Sequence, residues 1–121
     1  MAVEREGLPF LVLRDGDGAQ RIVRLLAAAA MTVGRSEQCD LALPWDGQVS
    51  RVHAELVNVG GDWALEDGGL SRNGSYVNGD RLEGRRELRH DDELRFGHTS
   101  LTFRLHLESA AEQTFLGTNA P

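Results

Sequence analysis

The segment Ala54-Glu55-Leu56-Val57-Asn58-Val59-Gly60-Gly61-Asp62-Trp63-Ala64-Leu65-Glu66-Asp67 decides the fold class. Two runs rich in Val, Leu and Trp flank Gly60-Gly61-Asp62, and a glycine-rich break between β-forming runs reads as a hairpin. Alternation places Glu55 and Asn58 largely outward and lets Trp63 and Leu65 face a core. The same punctuation recurs about every eight to twelve residues on both sides of this hairpin, a rhythm expected of a β-sandwich or barrel. Upstream, Leu8 to Leu13 is a buried-strand candidate stopped by Arg14-Asp15-Gly16-Asp17-Gly18, where Asp-Gly suits the positive φ of a tight turn, and Gln20 to Leu26 returns. Downstream, Ser75-Tyr76-Val77 runs into Asn78-Gly79, a strong hairpin signal, and Arg81-Leu82 continues beyond it. Glu93 to Phe96, a Gly97-His98 turn and Thr99 to Leu107 form the last pair, with Leu101, Phe103, Leu105 and Leu107 alternating against Thr102, Arg104 and His106.

One stretch opposes this picture. Arg21 to Met31 contains four consecutive alanines, and intrinsic propensity alone would make it helical. The neighbouring segments offer a sheet to join, so strand is expected here, with a helical turn or irregular loop at Ala27 to Ala30 as the alternative. Beyond Leu107 the pattern dissolves into a small, polar tail, with a short helix conceivable near Ser109 to Gln113. The expected organisation is an extension over residues 1–7, one domain over 8–107 and a flexible tail over 108–121.

Composition narrows the function. A chain of 121 residues with 40% hydrophobic content suits one compact domain. The longest apolar run, Leu25 to Val33, is interrupted by Thr32 and falls short of the roughly 20 residues of a membrane span. The N-terminus carries alternating charge rather than a basic flank and apolar core, so no secretory signal is read and a cytoplasmic location is expected. A formal charge of −6 disfavours nucleic acid and anionic lipid as partners. All 13 cations are arginine, a bias consistent with a GC-rich bacterial genome. Cys39 is the single cysteine, which leaves no disulfide and no Cys-x-x-Cys site; it is expected to be a small, semi-buried thiol.

The residues able to do chemistry sit in loops. Gly34-Arg35-Ser36-Glu37-Gln38-Cys39-Asp40 leads into Leu41-Ala42-Leu43, Ser50-Arg51-Val52-His53 follows, and Asp67 to Gly79 closes the set. Arg35, set after a glycine that frees the backbone, presents a planar fork of five N–H donors, and Ser50 adds a hydroxyl with Arg51 beside it. Asn73 offers an amide for a peptide main chain, and Gly74 permits close approach. Such a set suits a phosphorylated side chain, which carries about −1.5 to −2 charge and three acceptor oxygens.

These motifs resemble the forkhead-associated (FHA) domain family. The order Gly34-Arg35…Asp40, Ser50…His53, Asn73-Gly74-Ser75-Tyr76-Val77-Asn78-Gly79 and Leu94-Arg95-Phe96-Gly97 follows the family's G-R-x-x-x-x-D, S-x-x-H, N-G-[TS]-[YFW]-V-N-G and L-x-F-G pattern, and the likeness covers about Phe10 to Leu107. The resemblance implies an all-β sandwich of two twisted, mostly antiparallel sheets of about eleven strands, which binds phosphothreonine peptides through loops at one end. It implies phosphate contacts from Arg35 and Ser50, with Arg51 and Arg72 in positions whose occupants often join them. Asn73 and Gly74 correspond to the main-chain and methyl contact, and Gly34, His53, Asn78 and Gly79 to structural braces. The implied function is a non-catalytic adaptor in serine/threonine kinase signalling, monomeric, with a phosphothreonine-bearing protein as partner. Arg72 stands where Thr or Ser is frequent, Ser75 where Thr is commoner, and His90-Asp91-Asp92 where Gly-Asp is usual.

Other functions fit less well. Gly69-Leu70-Ser71-Arg72-Asn73 lacks the second glycine of a nucleophile elbow, and neither a P-loop nor a G-x-G-x-x-G is present. No catalytic residue, metal site or cofactor is therefore expected. His90, His98 and His106 have no metal-ligand spacing and read as surface. Asp40 and Asp67 read as loop caps and Arg85, Arg86 and Arg89 as a solvated edge. The alternative is an interaction sandwich that binds a partner without phosphate dependence. Thr114 in the tail is a candidate phospho-acceptor, read in cis or by another copy.

Overall fold

Short alternating segments pair into two sheets whose apolar faces meet. The computed structural model describes residues 9–25, 29–69 and 71–105, which hold eleven strands and no helix. In chain order these are β1 (Phe10–Arg14), β2 (Gln20–Arg24), β3 (Ala30–Gly34), β4 (Leu41–Ala42), β5 (Ala54–Val59) and β6 (Asp62–Asp67). They are followed by β7 (Ser75–Val77), β8 (Asp80–Arg81), β9 (Gly84–Glu87), β10 (Glu93–Phe96) and β11 (Thr99–Arg104). One sheet has five strands in the order β9-β6-β5-β3-β4, and the other six in the order β2-β1-β11-β10-β7-β8. Every pairing is antiparallel except β3 with β4. Leu56, Leu65 and Val33 from one sheet and Leu11, Val77, Leu94, Phe96, Leu101 and Phe103 from the other are fully or almost fully buried and form one core.

The helical propensity of the alanine run yields to tertiary pairing, because β3 begins at Ala30 and joins β5 in register with Val57. The rest of that run, residues 26–28, lies outside the described residues, as do the tail with Thr114 and the Ser109 to Gln113 segment. The last strand is shorter than its alternation suggested: β11 ends at Arg104, and Leu105 is exposed. Likewise β2 ends at Arg24, after which the Leu25 amide donates to the Pro9 carbonyl at 2.9 Å. In the β1–β2 turn only Gly18 takes a positive φ, of 82°, so one glycine of the two Asp-Gly pairs does the work expected of both.

Trp63 and Leu65 face the core as alternation requires, and Glu55 and Asn58 are half-buried, the Asn58 Oδ1 accepting the Gly61 amide at 2.9 Å. Asn78 and Gly79 both have positive φ, 52° and 86°, the backbone of a type I′ turn. The Asn78 side chain fixes that turn further. Its Nδ2 donates to Asp92 Oδ1 at 2.8 Å and its Oδ1 accepts the Glu93 amide at 2.9 Å. Asp91, at the place where the FHA pattern carries glycine, adopts the left-handed φ of 72° that glycine would take.

The strand ends of the five-stranded sheet and the start of β7 bring three loops to one end of the sandwich: residues 35–40, 43–53 and 68–74. Because β5 is central, its buried side chains stabilise both neighbours. Leu56→Ala is expected to lower stability by about 2 to 5 kcal/mol, whereas Val59→Ala, at the exposed end of the same strand, should change it by less than about 0.5 kcal/mol; urea unfolding of the two variants checks the contrast.

Candidate functional site

Gly34 is required by space rather than by backbone freedom. Its φ is not positive, but a Cβ there would stand 2.1 Å from the Arg51 carbonyl oxygen and 2.9 Å from Cys39 Sγ. That close approach lets the two loops interlock. The Arg35 amide donates to the Ser50 carbonyl at 2.9 Å, the Ser36 amide to the Arg51 carbonyl at 3.1 Å, and the Cys39 thiol to that same carbonyl at 3.3 Å. Asp40 anchors the far end of the loop by accepting the Thr32 amide at 2.9 Å, while the Asp40 amide donates to Thr32 Oγ1 at 3.0 Å. Arg35 and Ser50 are thereby set side by side.

His53 joins the second loop to the third. The ring is fully buried, edge-on to Phe96 with centroids 5.5 Å apart. The Ser50 amide donates to Nδ1 at 3.0 Å, so the proton resides on Nε2, which donates to the Gly74 carbonyl at 2.8 Å. Ser50 Oγ in turn accepts the Arg72 amide at 2.9 Å, which leaves its own hydroxyl hydrogen available to a ligand. Asn73 Nδ2 donates to the Gln48 carbonyl at 2.8 Å; a carbonyl can only accept, so the amide end facing it is the NH2.

Two aspartates tune this frame, Asp46 buried and Asp67 half-buried. Asp46 accepts from Thr99 Oγ1 at 2.7 Å, from the His98 amide at 2.7 Å and from the Gln48 amide at 3.0 Å, tying the 43–53 loop to the β10–β11 turn. Trp45 adds a bond from Nε1 to Thr99 Oγ1 at 3.2 Å. The Asp-Gly pair at 46–47 was the available signal for this turn. Asp67 accepts from Ser71 Oγ, from Ser75 Oγ at 2.8 Å and from the Gly69 amide at 3.0 Å, shaping the 68–74 loop. For both carboxyls burial pushes the pKa up, but the hydrogen bonds outweigh it, Thr99 foremost at Asp46 and Ser71 at Asp67, and both titrate below the ordinary aspartate value.

Together the three loops enclose a cavity of about 380 Å³ lined by Arg35, Gly47, Gln48, Val49, Ser50, Arg51, Arg72 and Asn73. Five of the expected contact residues meet there: Arg35, Ser50, Arg51, Arg72 and Asn73. Gly74 does not line it. That residue is buried with φ 84°, and the group packed on its open side is the Arg81 guanidinium. Gly47, Gln48 and Val49 are additional lining residues. Arg35 Nε donates to the Val49 carbonyl at 3.0 Å, which aims the guanidinium while its two NH2 groups form no hydrogen bond among the described residues. Three guanidiniums and no carboxylate line the cavity of a protein whose net charge is −6. A larger cavity of about 670 Å³ beside Trp45 shares only Gly47 with it; that space is lined by Asp15 and Asp46 with Arg14 as its one arginine, and so lacks the charge for an anion.

The FHA domain model matches residues 31–97, more than half of the chain and all three loops. The chain belongs to the FHA domain family. Solved structures, two of them of FHA domains, superpose well on this FHA domain. One, from an analysis of phosphothreonine-dependent FHA domain interactions, is 31% identical and covers 83% of this chain and 98% of its own, with a TM-score of 0.69. The FHA domain of FhaA, solved in complex with the intracellular domain of Rv3910, is 31% identical over 79% of this chain and 99% of its own, TM-score 0.67. The Slr1951 protein from Synechocystis sp. is 29% identical over 82% and 96%, TM-score 0.71. No curated protein matches the sequence significantly. Among the described residues no helix is long and apolar enough to cross a membrane, and no three His, Cys, Asp or Glu side chains group as a metal site would.

Replacing His53 by Phe keeps the ring and its volume but strands the Ser50 amide and the Gly74 carbonyl. Each stranded group costs about 1 to 3 kcal/mol, so His53→Phe should lower the chemical-denaturation free energy by a few kcal/mol. Acid should act through Asp46 and Asp67. Their folded pKa values lie below the unfolded ones, so their contribution is complete above about pH 4 and is lost as pH falls further. Urea midpoints should thus hold steady in this respect down to about pH 5 and drop below pH 4, and Asp46→Asn should reduce both the midpoint at pH 7 and the size of the acid loss.

Proposed function

We propose that this FHA domain is a non-catalytic phosphothreonine-binding module that docks a partner or substrate of a serine/threonine kinase. The observation that carries the reading is the convergence of the Arg35 guanidinium and the Ser50 hydroxyl on one cavity, with Arg51 and Arg72 at its rim and no carboxylate among its lining residues. A phosphate dianion matches this set in charge and in hydrogen-bond sense, since the arginines and the Ser50 hydroxyl are donors. Arg35 and Ser50 are assigned the central contacts, and a charge-assisted bond of this kind contributes about 1.5 to 3 kcal/mol. Arg51 and Arg72, both exposed, supply longer-range attraction that salt will weaken. Asn73 is assigned to the peptide main chain and Gly74 to shaping the loop behind it.

Threonine over serine is worth little from burial alone. One methyl contributes about 0.8 kcal/mol, or roughly fourfold in affinity, so a larger preference requires a shaped contact beside Asn73.

Calorimetric titration tests this reading. A phosphothreonine peptide should bind while its unphosphorylated twin gives only heats of dilution. Arg35→Ala should remove most of the binding and leave the thermal melt nearly unchanged, because the side chain is exposed and makes one hydrogen bond among the described residues. Equal heats for the two peptides would end the assignment, and a collapsed melt for Arg35→Ala would make that residue structural.

A further inference from the structure

Asn73 has a single side-chain NH2 group, and both of its hydrogens go to one residue. Nδ2 donates to the Gln48 main-chain carbonyl at 2.8 Å and to Gln48 Oε1 at 3.2 Å. The two acceptors differ in kind. The carbonyl is fixed, because the Val49 amide of the same peptide unit donates to the Asp46 carbonyl at 3.1 Å and the preceding Gln48 amide to the buried Asp46 carboxylate at 3.0 Å. The carboxamide belongs to an exposed side chain with three rotatable bonds that lines the same cavity as Arg35 and Ser50. Ordering such a side chain consumes most of what an exposed hydrogen bond returns, so another acceptor can replace it readily.

We propose that the Gln48 side chain is an internal substitute for the main-chain carbonyl of a bound peptide, filling the donor position of Asn73 until a phosphopeptide displaces it. The inference rests on the phosphopeptide reading and adds a residue that sets its affinity. Displacement exchanges one neutral acceptor for another, so the Asn73 NH2 gives a peptide no hydrogen bond that the free protein lacks. Net binding then comes chiefly from the phosphate and the three arginines. Gln48 lowers affinity for every peptide by the same factor and so keeps unphosphorylated chains from occupying the cavity.

Two variants separate competition from recognition. Gln48→Ala removes the side chain, and Gln48→Met keeps its length without a carboxamide; both preserve the main-chain bonds to Asp46 and Asn73. Each is expected to tighten binding of a phosphothreonine peptide by about two- to fivefold, the size of one modest exposed hydrogen bond. In the free protein, the Asn73 side-chain NH2 resonances should shift in Gln48→Met relative to wild type. Weaker binding in both variants would make Gln48 a peptide contact and overturn the proposal, as would unchanged affinity or unmoved Asn73 resonances. Wild-type protein that treats phosphorylated and unphosphorylated peptides alike would instead sink the functional reading itself.

Discussion

A single buried imidazole holds the recognition end together. His53 accepts from the Ser50 amide on one side and donates to the Gly74 carbonyl on the other, and it does so from within the core, against Phe96. The bond to Gly74 is buried and the one to Ser50 part-buried, so the imidazole fixes the separation of the 43–53 and 68–74 loops more firmly than surface contacts could. Around this link the remaining ties fall into place. Gly34 lets the Arg51 carbonyl approach, Ser50 Oγ takes the Arg72 amide, and Asn73 reaches back to Gln48. The loops are thus positioned by backbone, neutral side chains and carboxylates, which leaves the two NH2 groups of Arg35 without a hydrogen bond among the described residues.

That division explains how three arginines share one cavity in an acidic protein. Guanidiniums crowded together repel one another, and an enzyme or structural core would pair them with carboxylates. Here Asp46 and Asp67 accept hydrogen bonds from amides and hydroxyls and hold loop shape rather than neutralise charge. The positive potential is therefore retained for an incoming anion, and a dianion relieves repulsion that the free protein sustains.

Much of this was legible in the sequence. The hairpin at Ala54 to Asp67, the Asn78-Gly79 turn and the pair around Gly97-His98 carry strong local signals because one face of each strand is buried and the turn chemistry is specific. Strand β9 carried none. Gly84–Glu87 is exposed throughout and joins the sheet edge by backbone pairing to β6, with Arg85 near Glu66 at 3.5 Å, so no apolar alternation marks it. The arginines and Ser50 stood out through the spacing of motifs. The roles of Gln48 and Asp46 did not, since they arise from contacts to residues 25 and more than 50 positions away. Gly74 was read as an approach point for a peptide, whereas the fold uses its open side for Arg81.

Phosphate recognition is proposed to belong to one loop-lined cavity and to no other surface of the sandwich. Amide and side-chain NMR shifts, followed while a phosphothreonine peptide is added to the protein labelled with nitrogen-15, test it most directly. The largest changes are expected on Arg35 and Ser36, Gln48 to Arg51 and Arg72 to Asn73, and are expected to vanish with the unphosphorylated peptide. Changes centred on the outer sheet faces or on the groove beside Trp45, or equal changes with both peptides, would contradict it.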